Sequence, residues 1–217
     1  MADAPVADDR RLAADLLAID AVTLAPDRPF TWASGRKAPI YCDNRLTLAH
    51  SAVRRRIRDG FVALLHAHAL SPDVIAGTAT AGIPHAAWLA ERLDLPMVYV
   101  RSQPKAHGRR NQIEGRLEPG QRVVLIEDLI STGGSSLEAV AALREAGAEV
   151  LAVLGIFTYG FPAAAAAFDA AGVPLYTLTS YPTLVEVAAE AGTFDAAALA
   201  ALRSWQQDPV GWSEARS

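Results

Sequence analysis

The chain has 217 residues, is 51% hydrophobic and carries a formal net charge of −4 at pH 7. That length buries a good core as one α/β domain, and the mild acidity gives no reason to expect a nucleic-acid binder or a polybasic membrane anchor. A single cysteine, Cys42, excludes an internal disulfide and fits a reducing, cytoplasmic setting. The opening "MADAPVADDRR" is too acidic and polar for a secretory signal, and no apolar run approaches the roughly 18 residues that span a bilayer.

In chain order, Leu12, Leu16 and Ile19 share a helical spacing and predict an amphipathic helix over Arg11–Ile19. "FTWASGRKAPIYCDN" (Phe30–Asn44) places β-prone residues on both sides of a Ser34-Gly35 turn and predicts a hairpin. Ser51 is positioned to cap a helix running to about Leu70, in which "RRRIRDG" reads as a solvated face. A regular rhythm follows, with strands over Val74–Gly77, Met97–Val100, Val123–Glu127, Val150–Phe157 and Leu175–Ser180. Helices fall between them, over Ile83–Leu93, Ser136–Gly147 and the alanine-rich "FPAAAAAFDAAG".

Strands that are apolar throughout, alternating with helices, predict an α/β fold whose parallel sheet is covered on both faces. The N-terminal helix and hairpin break the rhythm and are expected to form a small hood. The expectation is one domain over 1–217, with hood and base-pocket segment at 1–50, sheet core at 51–185 and C-terminal helices at 186–217.

In such sheets ligands bind beyond the carboxyl ends of the strands. Three loops qualify. "GTATAG" (Gly77–Gly82) lies between a strand and a helix. "RSQPKAHGRRNQIEGRL" (Arg101–Leu117) gathers Arg101, Lys105, His107, Arg109, Arg110 and Arg116 against one acid, Glu114, with little promise of strong secondary structure. A cationic lid suits a leaving group that grows more negative as a bond breaks; an ordinary solvated loop is the plainer alternative.

The third, "VVLIEDLISTGGSS" (Val123–Ser136), ends an apolar run on Glu127 and Asp128, then continues through Leu129, Ile130, Ser131, Thr132, Gly133, Gly134 and Ser135. A small-residue turn entering a helix offers backbone N–H groups to a phosphate, and Gly133 is where a side chain would block that approach. Two carboxylates would repel a phosphate, so they need hydroxyl donors or Mg2+. A pentose 5-phosphate meets both requirements. The alternative is an acidic pair that only caps the next helix.

"VVLIEDLISTGGSS" resembles the phosphoribosyl-pyrophosphate signature of the type I phosphoribosyltransferases. "FTWASGRKAPIYCDNR", "ATAGIPHAAWLAERLDLPMVYVR" and "KAHGRRNQIEG" are similar to segments of the orotate phosphoribosyltransferases within that family, from about Phe30 to Tyr181. The resemblance implies the type I phosphoribosyltransferase fold and Mg2+-dependent transfer of ribose 5-phosphate from phosphoribosyl pyrophosphate to orotate, in pyrimidine (UMP) synthesis. It implies that Glu127 to Ser135 bind the ribose 5-phosphate part, with Ser131 also contacting orotate and Tyr41 bordering the base pocket. Arg101, Lys105 and His107 match the groups that reach pyrophosphate, with Lys105, His107 and Asp128 as catalytic candidates. Thr80 and Ala81 match a pyrophosphate-contacting turn that often holds a non-proline cis peptide. It further implies a homodimer whose Arg101–Leu117 lid serves the neighbouring subunit, and Mg2+ held mainly by substrate oxygens.

The chain departs from the pattern at Ala33, at Ala81 and at Ser102-Gln103, where family members place lysines; Arg36, Lys37, Arg109 and Arg110 are candidates to compensate. A purine phosphoribosyltransferase is the first alternative, disfavoured because such enzymes usually carry a carboxylate where Ser131 stands. A phosphoribosyl-pyrophosphate-sensing regulator is the second, disfavoured by Lys105 and His107. A dinucleotide-binding oxidoreductase lacks its G-x-G-x-x-G. His50 and His85 read as structural, His66 and His68 as poor metal ligands two apart on a helix, the four tryptophans as packing anchors, and Cys42 as a weak nucleophile.

Overall fold

The computed structural model describes residues 9–32, 34–102 and 112–216. A six-stranded sheet has the order β10-β9-β8-β5-β6-β7, formed by Leu175–Ser180, Glu149–Thr158, Arg122–Ile130, Val74–Thr78, Met97–Val100 and Ile113–Glu114. All neighbours run parallel except β7, which pairs antiparallel with β6. The two-residue β7 lies in the segment expected to have no strong structure. Its Ile113 is buried under the sheet edge, which gives those residues a reason to pair.

Helices cover both faces. The first layer comprises α1 (Asp9–Ala18), α2 (Ser51–Ala67), α3 (Gly82–Leu93) and α6 (Tyr181–Glu190), packed on Val124, Ile126 and Leu154. The second comprises α4 (Gly134–Glu145) and α5 (Pro162–Ala170), packed on Val123, Leu125 and Val153. Successive residues of β8 therefore serve opposite cores, which explains its unbroken apolar run. Leu12 and Leu16 of α1 are buried in the first layer, so that helix belongs to the main core and not to a hood.

The hood is smaller than expected. A hairpin of β2 (Phe30–Thr31) and β3 (Lys37–Ala38) makes one two-stranded sheet, and β4 (Ile40–Cys42) pairs antiparallel with β1 (Val22–Leu24) in another. It is anchored by aromatic packing. Trp32 stands 5.2 Å from Tyr159 and 5.7 Å edge-on to Trp205, while Trp205 also meets Phe161 and Tyr181. Trp205 belongs to α7 (Ala196–Gln207), and α8 (Pro209–Glu214) returns to the hood, where the Ser213 hydroxyl accepts the Lys37 N–H at 2.8 Å. Trp32, Trp205 and Trp212 are packing anchors, as expected. No described helix is long and apolar enough to cross a membrane.

Trp205 is 1% exposed at the centre of this cluster. Trp205→Ala should lower unfolding free energy in urea by about 3–5 kcal/mol, the usual cost of an aromatic deletion that leaves a cavity. A loss below about 1 kcal/mol would show that hood and C-terminal helices do not depend on one another.

Candidate active site

The chain leaves β5 through α3 to reach β6 on one side, and leaves β8 through α4 to reach β9 on the other. The strand order therefore reverses between β5 and β8, with the two helices on opposite faces. The crevice beyond such a reversal is where open α/β sheets place ligands.

Glu127 and Asp128 occupy that crevice. β5 pairs with β8 only as far as Gly77 opposite Ile126, whereas β9 pairs on to Thr158 opposite Ile130. The strand thus continues three residues past Glu127, beyond the end expected from sequence, because the longer β9 keeps offering partners. On the other side β8 has outrun its neighbour, and the N-terminus of α3 fills the space. A Cβ on Gly82 would lie 2.5 Å from the Ile126 carbonyl oxygen, so only glycine permits this approach.

Glu127 is 5% exposed. Its carboxylate accepts the Ser136 hydroxyl at 2.9 Å and the Asp128 N–H at 3.1 Å. Burial, reinforced by the Asp128 charge, pushes Glu127 up to about 7. Burial raises Asp128 as well. The buried Asn44 amide donates to the Asp128 carbonyl at 2.7 Å and fixes the backbone where β5 no longer can.

The following loop is open to solvent at Thr132, Gly134 and Ser135. Gly133 has φ +84 and caps α4 with no side-chain hydrogen bond, which leaves first-turn N–H groups for an anion. A Cβ at Gly133 would strike the Phe168 ring at 2.6 Å, whereas at Gly134 it meets nothing within 4 Å. Gly133 is therefore required by backbone and packing. The space beside Gly134 is open, so a side chain there would project into the crevice. Thr132, Gly134 and Ser135 are exposed. Leu129 packs against the first core and Ile130 is fully buried, so their side chains face the interior.

The other candidates lie around this point. Thr80 and Ala81 form the turn before α3, where the Ala79–Thr80 peptide is cis and Ala81 caps the helix without a side-chain bond. Arg101 follows β6 and its guanidinium is 3.5 Å from Glu114. Lys105, His107, Arg109 and Arg110 lie outside the described residues, as do Ala33 and Gln103. Ser131 and Thr132 line a cavity of about 230 Å³ together with Trp32, Arg36, Lys37 and Trp205. Tyr41, 48% exposed, is not on that wall; its ring sits 5.6 Å from Phe30. Burial, with the Asp128 and Asp43 charges, raises the Cys42 thiol far above its ordinary range, so it is a poor nucleophile. His85 is held neutral, lowered to about 4 by burial and then by Arg54.

Sequence reasoning passed over Asn44, Gly82 and Ser136. All three stood inside quoted motifs and Ser136 follows Glu127 by nine residues, but nothing local shows that they meet the acidic pair.

The raised Glu127 has a consequence for stability. Its folded value lies above the unfolded one, so its contribution is fully present below about pH 4.5 and is lost as pH rises to about 7. Between about pH 5 and pH 8 the free protein should lose on the order of 2 kcal/mol from this group. Glu127→Gln should remove that slope in urea unfolding, becoming relatively more stable as pH rises; parallel slopes for both proteins would refute the assignment.

Residues 48–158 match the family model described as the phosphoribosyl transferase domain. Over 201 residues the chain is 60% identical to the orotate phosphoribosyltransferase of Bacillus caldolyticus, which covers 93% of this chain and 97% of that one. Among solved structures, orotate phosphoribosyltransferase from Aeropyrum pernix superposes with a TM-score of 0.74 at 30% identity, over 85% of this chain and 99% of that one. The Mycobacterium tuberculosis H37Rv orotate phosphoribosyltransferase, solved in complex with 5-phospho-alpha-D-ribosyl 1-diphosphate, gives 0.64 at 26% identity, over 82% and 98%. With its signature at the switch point of such a sheet, the chain belongs to the orotate phosphoribosyltransferase family of the phosphoribosyl transferases.

Proposed function

We propose that this chain transfers ribose 5-phosphate from phosphoribosyl pyrophosphate to orotate, yielding orotidine 5'-phosphate and pyrophosphate on the way to UMP. The observation that carries the reading is one juxtaposition. A buried carboxylate pair stands beside an uncapped helix N-terminus in the same crevice. Phosphate suits the second, ribose hydroxyls suit the first, and a pentose 5-phosphate joins them.

In this reading the N–H groups of Thr132 to Ser135 hold the 5-phosphate, and Glu127 and Asp128 accept the ribose hydroxyls. The bond from the anomeric carbon to pyrophosphate breaks, positive charge grows on the ribose ring, and the ring nitrogen of orotate forms the new bond. The carboxylates orient the sugar and face the growing charge. Thr80, Ala81 and Arg101 take the pyrophosphate side, with Lys105 and His107 supplying charge as it leaves; Arg101 must then exchange Glu114 for substrate. Ser131 and Tyr41 border the base. Among the described residues no three His, Cys, Asp or Glu side chains gather into a cage. A lone carboxylate pair fits Mg2+, which keeps several waters and binds substrate oxygens. When bound it neutralises pyrophosphate charge. A homodimer with the Arg101–Leu117 lid shared across subunits, in the cytoplasm, completes the reading.

A purine substrate is the competing reading. Ser131 disfavours it, because a serine cannot carry the charge that would hold a purine ring proton, whereas orotate arrives as an anion.

With phosphoribosyl pyrophosphate and Mg2+, orotate should be consumed and hypoxanthine, adenine and uracil left unchanged; preferred turnover of a purine would sink the assignment. Gly134→Val should raise the KM for phosphoribosyl pyrophosphate at least about tenfold, because its side chain would occupy the phosphate's space. The melting temperature should stay near wild type. An unchanged KM would place the phosphate elsewhere.

A further inference from the structure

We infer that Tyr159 is a specificity-determining residue of the base site, its hydroxyl donating to an oxygen of the pyrimidine beside the nitrogen that takes the ribose. This deepens the proposed function and rests on it. Tyr159 is the first residue past the carboxyl end of β9. Its N–H donates to the Ile130 carbonyl at 3.1 Å, which sets it beside Ser131 at the mouth of the crevice. The Gln206 amide of α7 holds its carbonyl at 3.4 Å.

Four rings confine the side chain. Trp32 of the hood and Phe161 lie 5.2 and 5.5 Å from it, at interplanar angles of 35° and 24°. Phe157 and Trp205 each meet it edge-on at 5.6 Å. The residue is 4% exposed. Packing of this kind needs only a ring, and phenylalanine would supply one.

The hydroxyl therefore needs its own reason. A buried tyrosine usually gives that group a partner. Tyr181, in the same cluster, donates to the Leu202 carbonyl at 3.0 Å. The Tyr159 hydroxyl has no hydrogen-bond partner among the described residues, and it is not one of the fully enclosed polar atoms that lack one. Part of the residue's small exposed area thus belongs to it. Burial first, and then Cys42, Asp128, Tyr181 and Tyr41, keep the phenol protonated, so it is a donor. Asp128 stands on the sugar side of the proposed site and Tyr41 on the base side, and both are near enough to act on it.

The chemistry of the base says what a donor here would recognise. In orotidine 5'-phosphate the nitrogen bonded to ribose has a carbonyl carbon on one side and a carboxylate-bearing carbon on the other. An oxygen acceptor thus stands on each side of the glycosidic bond. A purine nucleotide offers a C–H on one side and a ring nitrogen on the other. A fixed donor facing a C–H is left unpaired, which rejects the wrong base more strongly than shape alone. Ser131 withholds the charge a purine needs; Tyr159 supplies the contact that orotate rewards.

Tyr159→Phe removes the hydroxyl and keeps the ring. Calorimetric titration with orotidine 5'-phosphate and with ribose 5-phosphate separates base from sugar-phosphate. Affinity for the first should fall about tenfold and affinity for the second should not change. The KM for orotate should rise, with that for phosphoribosyl pyrophosphate unaltered. Uridine 5'-phosphate, which lacks the carboxylate, locates the contact: a matching loss assigns the carbonyl, and no loss assigns the carboxylate. Tyr181→Phe is the control for a structural hydroxyl; it should lower the melting temperature and leave orotidine 5'-phosphate affinity intact, whereas Tyr159→Phe should melt with wild type. Unchanged orotidine 5'-phosphate affinity in Tyr159→Phe, an equal loss with ribose 5-phosphate, or a melting temperature lowered as in Tyr181→Phe would return Tyr159 to the core and overturn the inference. If wild type neither turns over orotate nor binds orotidine 5'-phosphate, the proposed function fails; wild-type turnover with an indifferent Tyr159→Phe fails this inference alone.

Discussion

The site depends on one mismatch of strand lengths. β8 continues beside β9 after β5 has ended, so a stretch of backbone and two carboxylates emerge on one side with no strand to receive them. Buried backbone groups must be paired. The fold meets that requirement with the Asn44 amide from the 3-10 turn, which donates to the Asp128 carbonyl, while Gly82 at the head of α3 packs closely on Ile126 and the Ser136 hydroxyl in the first turn of α4 donates to the Glu127 carboxylate. Each comes from a different segment. Their convergence fixes the backbone at Asp128 and the Glu127 carboxylate from two sides.

The same place carries the least comfortable charges. Two adjacent carboxylates, mostly removed from water, cost stability, and burial raises both of them above the ordinary carboxylate range. A protein optimised only for stability would place neutral groups there. On the proposed reading the discomfort is a reservoir: donors that meet the pair on binding replace the missing water, and the relief is available only when substrate is present. On that reading stability and affinity are set by the same two side chains.

Much of this was legible in the sequence because local signals were strong. Continuous apolar runs marked the buried strands, and the small-residue turn after Glu127-Asp128 marked the uncapped entry to α4. Three features were hidden, each for a physical reason. The extension of β8 to Ile130 depends on the length of β9, a property of the partner strand. The burial of α1 in the main core depends on α6, whose sequence lies far downstream. The different duties of Gly133 and Gly134 depend on the position of the Phe168 ring, which no neighbour in sequence reveals. Asn44 belongs to the same class, since its partner is 84 residues away.

The tie between Lys37 and Ser213 joins residues 176 positions apart, and Trp32 rests on Trp205 across a similar interval. The hairpin beside the cavity that Ser131 lines is translated early, yet the side chains that hold it in place emerge from the ribosome near the end. Non-local contacts of this kind form late. A nascent chain that has completed its sheet, with the acidic pair and the Gly133-Gly134 loop already in place, still lacks a seated hairpin until residues up to Ser213 have been added. Premature termination anywhere in α7 or α8 would therefore release a molecule with an assembled acidic crevice and an unfinished wall beside it.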